Sequence, residues 1–508
     1  MRALALGAVV LVACGGGHGD HKAPPRTETP SGPTARPPEE PGETEPVAPP
    51  DFPEGTRSLE LVRTVGVRLE PGDDAKRIGT VAIDTRVAWT RTAHGKGCTK
   101  PWIEIDPHGW ICGDYVQPSK KPAYGQEVPH LDRGELVPGI YGKVTAPSSV
   151  TYMLQKPEPP KKKPGKGDKK HGDKKAGEHG RPVTSPSQVD DELAPTPAKG
   201  PHMVEDKPLV GSVNVRQYEE LTVDGKLYWK ISQKDNQYVL RAAITPHTPS
   251  HYGGARLGDD TGWGVPFAFA WPRGGGQLAW TTNKAAGGGV NRQVAARTPL
   301  PIFETSPDAA GKPVAYRIGD AEWIAAADVR VFEPHDAPAL LQPGERWIDV
   351  DVDAEILVAY EGETPVYSTL VTTGAKDTPT ETGVYRMWLK ESEADMKGLN
   401  GEDPYSVATV PWTQFFSPEK GLALHTAYWH DAFGTRRSHG CVNLAPRDAR
   451  WLYFWSDPQV PPGWTMSAGV VEAPGSIVRI RSAADPDPEV KGYAKKVIEV
   501  RQQLAPAR

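Results

Sequence analysis

Short apolar runs separated by Gly and Asp turns fill the chain from about residue 56 to residue 118. They read LELVRTVGVRLE, GDDAKRIGTVAI, RVAWTRT, WIEI and GWICGDYV. Runs of this kind, with frequent turn residues, are typical of short β-strands and not of helices. The pattern predicts a small β-barrel. Looser repeats of its ending, QYVLRAAIT and EWIAAADVRVF, predict two further β-modules.

Two stretches have compositions that cannot fold alone. Residues 15 to about 52 consist largely of Pro, Gly, Glu and Thr, and Lys156–Lys175 contains nine lysines and almost no apolar side chain. Neither can bury enough apolar surface to offset the entropy of ordering the chain. We interpret the first as a semi-rigid tether. The second is interpreted as a loop insertion, either an electrostatic clip onto an anionic envelope polymer or lipid, or a solvated spacer.

The N-terminus, MRALALGAVVLVAC, predicts export. Arg2 precedes an eleven-residue apolar run, which is too short to span a bilayer but suits the apolar region of a signal peptide. The residues Leu-Val-Ala-Cys that end at Cys14 resemble a bacterial lipobox, and this predicts a lipid on Cys14. The alternative is an ordinary cleaved signal peptide. Gly15 favours an outer-membrane anchor in a cell with two membranes.

The positions of the four cysteines suggest different roles for them. Cys98 and Cys112 lie within one predicted β-module, so an oxidising compartment is expected to join them. With Cys14 assigned to lipid, Cys441 has no assigned structural task. It is then either a reactive thiol or a buried, inert one.

The chain has a formal net charge of −5. It therefore offers no overall basic surface, and nucleic acid is not expected as the main partner. Near residue 350 the sequence IDVDVD alternates apolar and acidic residues, which predicts a strand followed by a hairpin. Asp349, Asp351 and Asp353 are interpreted as the wet face of that strand. A calcium loop would need Gly after the third acid, where Ala354 stands.

The stretch HTAYWHDAFGTRRSHGCVNL, from His425 to Leu444, concentrates the residues that can carry chemistry. A cysteine nucleophile needs a base, donors for the oxyanion and a rigid support. Gly440 allows a tight turn beside Cys441, and His425 follows an apolar strand. From the residues alone, His425 and His439 are both possible bases.

His425, a gap of twelve residues and Ser438-His439-Gly440-Cys441-Val442-Asn443 closely resemble the signature of the L,D-transpeptidases of the YkuD type. Neighbouring residues that agree with this resemblance are Val410-Pro411-Trp412, Phe415-Phe416, Tyr428-Trp429-His430-Asp431, Phe433-Gly434, Thr378-Pro379-Thr380 and Gly383. Thr426 departs from it, because close relatives often have glycine there. The family cross-links peptidoglycan, so the resemblance implies an enzyme that acts on peptidoglycan stem peptides.

The resemblance also implies a role for each matching residue. Cys441 would be the nucleophile and His425 the proton donor and acceptor, oriented by the backbone at Thr426. His439 and Gly440 would form the oxyanion site. The substrate-binding residues would be Ser438, Arg436, Arg437, Asn443, Trp412, Tyr428 and Trp429. No cofactor and no metal are implied, and His430 is left as a pocket residue without a chemical role.

The resulting fold class is mainly β, a YkuD-like β-sandwich or barrel preceded by small SH3-like barrels and disordered linkers. The predicted boundaries are signal peptide 1–14, tether 15–55, SH3-like domain 56–118, second module 119–246 with an insertion at 155–205, third module 247–336, catalytic domain 344–484 and tail helix 485–508. The predicted location is the periplasm, with the outer membrane as the site of the anchor.

Three other readings of the same stretch remain open at this point. His425, His430, His439 and Cys441 could hold a metal, although no pair of ligands has the i, i+4 spacing of a helical motif. The domain could be an inactive cell-wall-binding module, or the stretch a structural loop with a buried thiol. If it is an enzyme, water as acceptor would make it an L,D-carboxypeptidase.

Overall fold

The structure is a computed structural model that describes residues 52–146, 149–156, 200–398 and 404–504. The signal peptide with Cys14, nearly all of the tether and residues 157–199 of the predicted insertion lie outside the described residues. Within them the fold is mainly β, which confirms the predicted fold class. No described helix is both long and apolar enough to cross a bilayer.

The first β-module contains the alternating apolar residues that the sequence analysis assigned to short strands. Its strands are β1 (Ser58–Leu61), β2 (Val65–Arg68), β3 (Arg77–Val81), β4 (Arg86–Val87), β5 (Trp89–Ala93), β6 (Trp102–Ile105), β7 (Trp110–Cys112) and β8 (Val116–Ser119). Leu59, Leu61 and Ile111 are fully buried. Cys98 and Cys112 form the disulfide that the sequence predicts.

The next eight strands are β9 (Ile140–Val144), β10 (Val150–Gln155), β11 (His202–Pro208), β12 (Ser212–Gln217), β13 (Glu219–Val223), β14 (Lys226–Lys230), β15 (Tyr238–Leu240) and β16 (Ile244–Pro246). Residues 144–209 and 217–245 make a compact unit of their own, with a sheet in the order β11-β10-β15-β14-β13. β11 begins at His202, so the predicted insertion, which ran to residue 205, extends too far. Residues 202–205 pair with β10 along its length and are ordered by that pairing.

The rest of the described chain belongs to the other compact unit. Its middle part consists of β17 (Ala255–Arg256), β18 (Phe267–Ala270), β19 (Leu278–Thr282), β20 (Val290–Ala295), β21 (Pro299–Pro301), β22 (Glu304–Pro307), β23 (Pro313–Gly319), β24 (Glu322–Ala325) and β25 (Val329–Phe332). They form sheets in the orders β20-β19-β24-β23-β22 and β21-β18-β25. The predicted third β-module is thus built of strands. Whether it is SH3-like stays a prediction.

The C-terminal part contains β26 (Arg346–Asp351), β27 (Ile356–Glu361), β28 (Thr364–Leu370), β29 (Gly383–Arg386), β30 (Leu389–Gly398), β31 (Tyr405–Ser417), β32 (Leu422–Thr426), β33 (Val442–Leu444), β34 (Trp464–Ala468) and β35 (Ile477–Arg481). Helix α1 (Pro446–Trp455) follows β33, and α2 (Gly492–Leu504) is the predicted tail helix. Pro446 stands in the first turn of α1, where its missing N–H is not needed.

Two sheets enclose the core of this part. One has the order β17-β28-β27-β26-β35-β29. In the other, β34 pairs with β30 on one side and with β3 of the first module on the other. Apolar residues of both regions, such as Val67 and Ile348, therefore belong to one buried cluster.

The prediction that Asp349, Asp351 and Asp353 form the wet face of a strand is wrong for Asp349, which lies in β26. Its side chain is fully buried and accepts hydrogen bonds from Arg479 at 2.9 and 2.8 Å and from Arg481 at 3.0 Å. Both arginines lie on β35, which runs parallel to β26. A buried carboxylate needs such partners, because an unpaired charge inside a protein is costly.

Candidate active site

His425 and Cys441 are placed by two adjacent parallel strands, β32 and β33. Their register pairs His425 with Asn443, and Cys441 comes two residues before Asn443. Since side chains alternate along a strand, Cys441 and Asn443 point to the side of the sheet that His425 also faces. Both His425 and Cys441 are only 3% exposed. The fold thus provides the rigid support that a nucleophile and its base require.

The two side chains line one cleft with a volume of about 240 Å³. Of the other predicted site residues, His439, Ser438, Asn443, Arg437 and Trp429 also line it. His430, which the sequence analysis left without a role, is a lining residue as well. The cleft therefore joins the members of the motif in one place.

The main chain fixes the tautomer of His425. Its Nδ1 lies 2.9 Å from the carbonyl oxygen of Thr426, and a carbonyl can only accept a hydrogen bond. The neutral ring therefore carries its hydrogen on Nδ1 and leaves the lone pair of Nε2 for another partner. Burial lowers the pKa of His425 to about 4, against a smaller opposite effect of this hydrogen bond. The imidazole is neutral at pH 7 and able to accept a proton.

Hydrogen bonds hold the loop before Cys441 in a tight turn. Ser438 Oγ donates to the carbonyl of Cys441 at 2.6 Å and accepts from the N–H of Gly440 at 3.1 Å. The carbonyl of Gly440 accepts from Thr380 Oγ1 at 2.7 Å. Gly440 has a φ of +118°, which a residue with a side chain rarely adopts. The predicted supporting role of Ser438 therefore has a direct geometric basis.

A buried acid supports the same loop from behind. The carboxylate of Glu355 accepts hydrogen bonds from the N–H of Thr373, at 2.7 Å, and from its hydroxyl. The carbonyl of Thr373 in turn accepts from the N–H groups of Arg437 and Ser438 at 2.9 and 3.0 Å. Burial raises the pKa of Glu355 to about 7. Glu355 could not be singled out from the sequence, because nothing in its neighbourhood marks it as buried.

The sulfur of Cys441 lies 4.0 Å from the carbonyl oxygen of Gly421, at the end of the turn that leads into β32. Cysteine chemistry at this position would act through the reduced thiol.

Both ring nitrogens of His430 are engaged by protein groups. Its Nδ1 accepts from the N–H of Ala432 at 3.1 Å, so the neutral ring carries its hydrogen on Nε2. Nε2 lies 3.1 Å from the side-chain amide of Asn443. Because Nε2 is then a donor, it requires an acceptor opposite it, and the Asn443 amide meets this requirement only when its oxygen takes the position of Nδ2. Burial lowers the pKa of His430 to about 3.

These contacts do not fit the alternative of a metal site. Metal ligands must offer a lone pair, and the two nitrogens of His430 and Nδ1 of His425 are occupied by protein partners. His439 instead stacks on Tyr405, with ring centroids 4.5 Å apart. The four side chains are thus arranged for hydrogen bonding and packing and not as a tetrahedral set.

Three of the predicted substrate-binding residues do not line the cleft. Arg436 donates to the carbonyl of Val352 at 3.0 and 2.7 Å and to Asp353 at 2.5 Å, so its charge is used within the fold. Trp412 is fully buried in the core. Tyr428 is also fully buried, and its hydroxyl donates to the carbonyl of Ala408 at 2.9 Å. Of the two adjacent arginines, only Arg437 lines the cleft.

The side chain of Thr426 is buried as well, and it is the main-chain carbonyl of this residue that contacts the imidazole of His425. That this contact serves catalysis stays a prediction. Asp431, in the same loop, accepts from Arg297 at 2.7 Å and from Ser250 at 2.5 Å. Arg297 also donates to the main-chain carbonyl of Asp431 at 2.6 Å. Hydrogen bonds thus connect the loop between His425 and Cys441 to residues far away in sequence.

Residues 345–480 match the family model of YkuD, described as the L,D-transpeptidase catalytic domain. This stretch is a YkuD domain. It includes His425, Cys441 and every other residue of the motif, while residues 52–344 of the described chain lie outside the match. No match was found among curated proteins.

Several solved structures are similar to parts of the chain. An L,D-transpeptidase from Mycobacterium smegmatis is 20% identical, with 36% of this chain and 82% of that chain covered and a TM-score of 0.23. The catalytic domain of an Enterococcus faecium L,D-transpeptidase is 24% identical, with 27% and 98% covered and a TM-score of 0.21. L,D-transpeptidase 3 from Mycobacterium tuberculosis is 17% identical, with 37% and 73% covered and a TM-score of 0.22.

Proposed function

We propose that the YkuD domain is a cysteine acyltransferase that forms 3→3 cross-links between peptidoglycan stem peptides. The observation that carries this proposal is the shared cleft of Cys441 and His425, in which the carbonyl of Thr426 holds the imidazole with Nε2 available as a base. A neutral, oriented imidazole beside a cysteine is the arrangement that activates a thiol.

In the first step, His425 Nε2 accepts the proton of the reduced Cys441 thiol. The sulfur attacks the carbonyl carbon between the third residue of a tetrapeptide stem, a diamino acid, and its terminal D-Ala. As the tetrahedral intermediate collapses, the carbon–nitrogen bond breaks and His425 returns the proton to the departing amine. D-Ala leaves, and the stem remains attached to Cys441 as a thioester.

In the second step, a side-chain amine of another stem attacks the thioester carbonyl. His425 accepts a proton from this amine, the carbon–sulfur bond breaks and the thiolate is regenerated. Water as the attacking group would instead release a tripeptide, and the domain would be an L,D-carboxypeptidase. Because the thioester stays reactive towards amines, a cleft that admits an acceptor peptide favours the transfer.

The loop at residues 439–441 is the proposed oxyanion site. Main-chain N–H groups that face a developing negative charge lower the barrier because they are already oriented. The N–H of Gly440 donates to Ser438 Oγ, so the contribution of Gly440 is to hold the turn. Asn443 and Ser438 act as supports of the loop, and Arg437 and Trp429 as substrate-binding residues in the cleft wall.

The proposal also places the enzyme in the cell envelope. The lipobox-like ending at Cys14 supports a lipid anchor, with the outer membrane as its location in a cell with two membranes. The β-modules outside the YkuD domain would be SH3-like accessory parts. A purely cell-wall-binding role for the whole chain is the alternative, and the retention of both Cys441 and His425 argues against it.

The pH dependence of acylation is expected to reflect the lowered pKa of His425. The imidazole must be neutral to accept the thiol proton, and its pKa is about 4 instead of the ordinary 6.5. The acid limb of the rate of acylation is therefore expected to lie well below pH 6.5. It can be measured with a carbapenem, from the loss of its ultraviolet absorbance, over the range in which circular dichroism shows a folded chain. A half-maximal rate at pH 6.5 or above would contradict this assignment.

The test of the proposed function uses the chain in the presence of a reductant, so that Cys441 is a thiol. With a disaccharide tetrapeptide as substrate, we expect 3→3 dimers and one D-Ala released for each thioester formed, detected by mass spectrometry. With a carbapenem, we expect a covalent adduct that peptide mapping places on Cys441. Release of D-Ala with tripeptide as the only product would show the carboxypeptidase, and an adduct on no residue would refute the proposal.

A further inference from the structure

One wall of the cleft comes from outside the YkuD domain. Strand β12 runs parallel to β31, with Ser212 opposite Tyr405 and Asn214 opposite Val407. All four side chains line the cleft. Because residues two apart on a strand face the same side, β12 continues the surface that β31 presents to the substrate. The family match begins at residue 345, so this wall is an addition to the matched domain.

His247, which directly follows β16, fixes the polar groups of this wall. His247 Nε2 lies 2.7 Å from Asn214 Oδ1, and since an amide oxygen only accepts, Nε2 carries the hydrogen. The N–H of His247 donates to the carbonyl of Tyr141 at 2.9 Å. Tyr141 stacks on Tyr428 with ring centroids 4.0 Å apart. The wall is therefore connected, through the stacked ring of Tyr141, to Tyr428 in the stretch between His425 and Cys441.

Lys143 follows Tyr141 by two residues on β9 and also lines the cleft. Burial, and to a smaller extent the charge of Lys143, lower the pKa of His247 to about 4. Lys143 and Arg437 are the cations that line the cleft, and its lining contains no Asp or Glu. Within the described part of the chain, the structure gives neither cation a hydrogen bond or an ion pair through its side chain. Two cations without a carboxylate partner in one cleft favour an anionic ligand.

We propose that Lys143 is a specificity-determining residue that binds a free carboxylate of the stem peptide in the active-site cleft. The inference rests on the proposed function and deepens it, since it assigns part of substrate selection to a residue outside the YkuD domain. Arg437, immediately before Ser438 of the motif, provides the second cation. The Asn214–His247 pair acts as a neutral polar surface beside Lys143 and positions the wall.

Stem peptides offer a direct test, because each of their carboxylates can be replaced by a neutral carboxamide of nearly the same shape. The acylation step is measured for the carboxylate peptide and for each amidated form, with the wild-type chain and with Lys143→Gln. We expect Lys143→Gln to raise KM for the carboxylate peptide about 10-fold, with kcat little changed, because a hydrogen bond to a charged group is lost. For the peptide in which the carboxylate bound by Lys143 is replaced by a carboxamide, wild type and variant should have the same KM.

The matched control is Lys312→Gln, which removes an exposed lysine in the turn between β22 and β23 that does not line the cleft. It should leave KM unchanged for every peptide. The difference between wild type and Lys143→Gln should also shrink in high salt, since an exposed charge pair is screened. Binding of the peptides to the Cys441→Ser chain, measured by calorimetry, gives a readout that does not depend on turnover.

The outcomes separate this inference from the proposed function. If the wild-type chain releases D-Ala but Lys143→Gln affects carboxylate and amidated peptides equally, the inference is overturned and the proposed function stands. The same holds if Lys143→Gln and Lys312→Gln cannot be told apart. If the wild-type chain processes no stem peptide, both fail together.

Discussion

Replacing Cys441 with alanine is expected to reduce acylation by stem peptides and by carbapenems to background. The reason is that alanine has no nucleophile, and the other groups of the cleft can only bind or transfer protons. Removing the nucleophile of a comparable catalytic unit costs on the order of 10⁶-fold in kcat. We therefore expect a loss of at least about 10⁴-fold, measured as the release of D-Ala under reducing conditions.

The serine variant and a control pair of substitutions sharpen this test. Cys441→Ser keeps the shape of the buried side chain, so a loss of activity with an unchanged melting temperature separates chemistry from folding. Cys98→Ala combined with Cys112→Ala removes the other described cysteines, which form the disulfide of the first β-module. That chain is expected to lose stability and still be acylated at Cys441. Full activity of Cys441→Ala would show that the mechanism is wrong.

The sequence could predict that His425 and Cys441, the proposed catalytic pair, lie close together because both lie within one short stretch. His425 and Cys441 are on neighbouring strands joined by a single loop, so a local motif already contained the nucleophile, the base and the turn between them. The tautomer of His425 was not accessible in this way. It depends on the position of the Thr426 carbonyl relative to the ring, and only coordinates give that.

The wall of the cleft that comes from outside the YkuD domain was missed, because its residues are not neighbours in sequence. Lys143, Asn214 and His247 are separated by long stretches of sequence and stand in unremarkable surroundings. They meet because β12 adds to the edge of β31 in parallel, and such a pairing leaves no signal in either strand alone. The arginines show the same limit, since adjacent Arg436 and Arg437 point to different partners although the sequence treats them alike.

The misjudged acids of β26 have a related physical cause. Alternation of apolar and charged residues correctly predicted the strand, and the polar face was then assumed to be wet. The sequence IVRIR of β35 alternates in the same way, and the parallel register sets Asp349 opposite Arg479 and Asp351 opposite Arg481. Two polar faces thus neutralise one another in the interior. A single strand's pattern cannot reveal that its charged face has a charged neighbour.

This arrangement predicts a large loss of stability when Asp349 is replaced by alanine. The substitution leaves Arg479 and Arg481, each with a side chain only 3% exposed, without the carboxylate that they share. Removing one partner of a buried ion pair costs about 3–5 kcal/mol. Arg479 loses its carboxylate partner altogether, and Arg481 keeps only Asp351. The free energy of unfolding, measured by urea denaturation, is expected to fall by that amount.

Glu363→Ala is the matched control, since Glu363 is an exposed acid in the hairpin between β27 and β28 of the same sheet. It should change the free energy of unfolding by less than about 0.5 kcal/mol. Asp349→Leu combined with Arg479→Met and Arg481→Met should recover part of the loss, because the only charge of the cluster that then remains is that of the partly exposed Asp351. If Asp349→Ala proves no more destabilising than Glu363→Ala, water reaches the cluster and its carboxylate is not needed for charge balance.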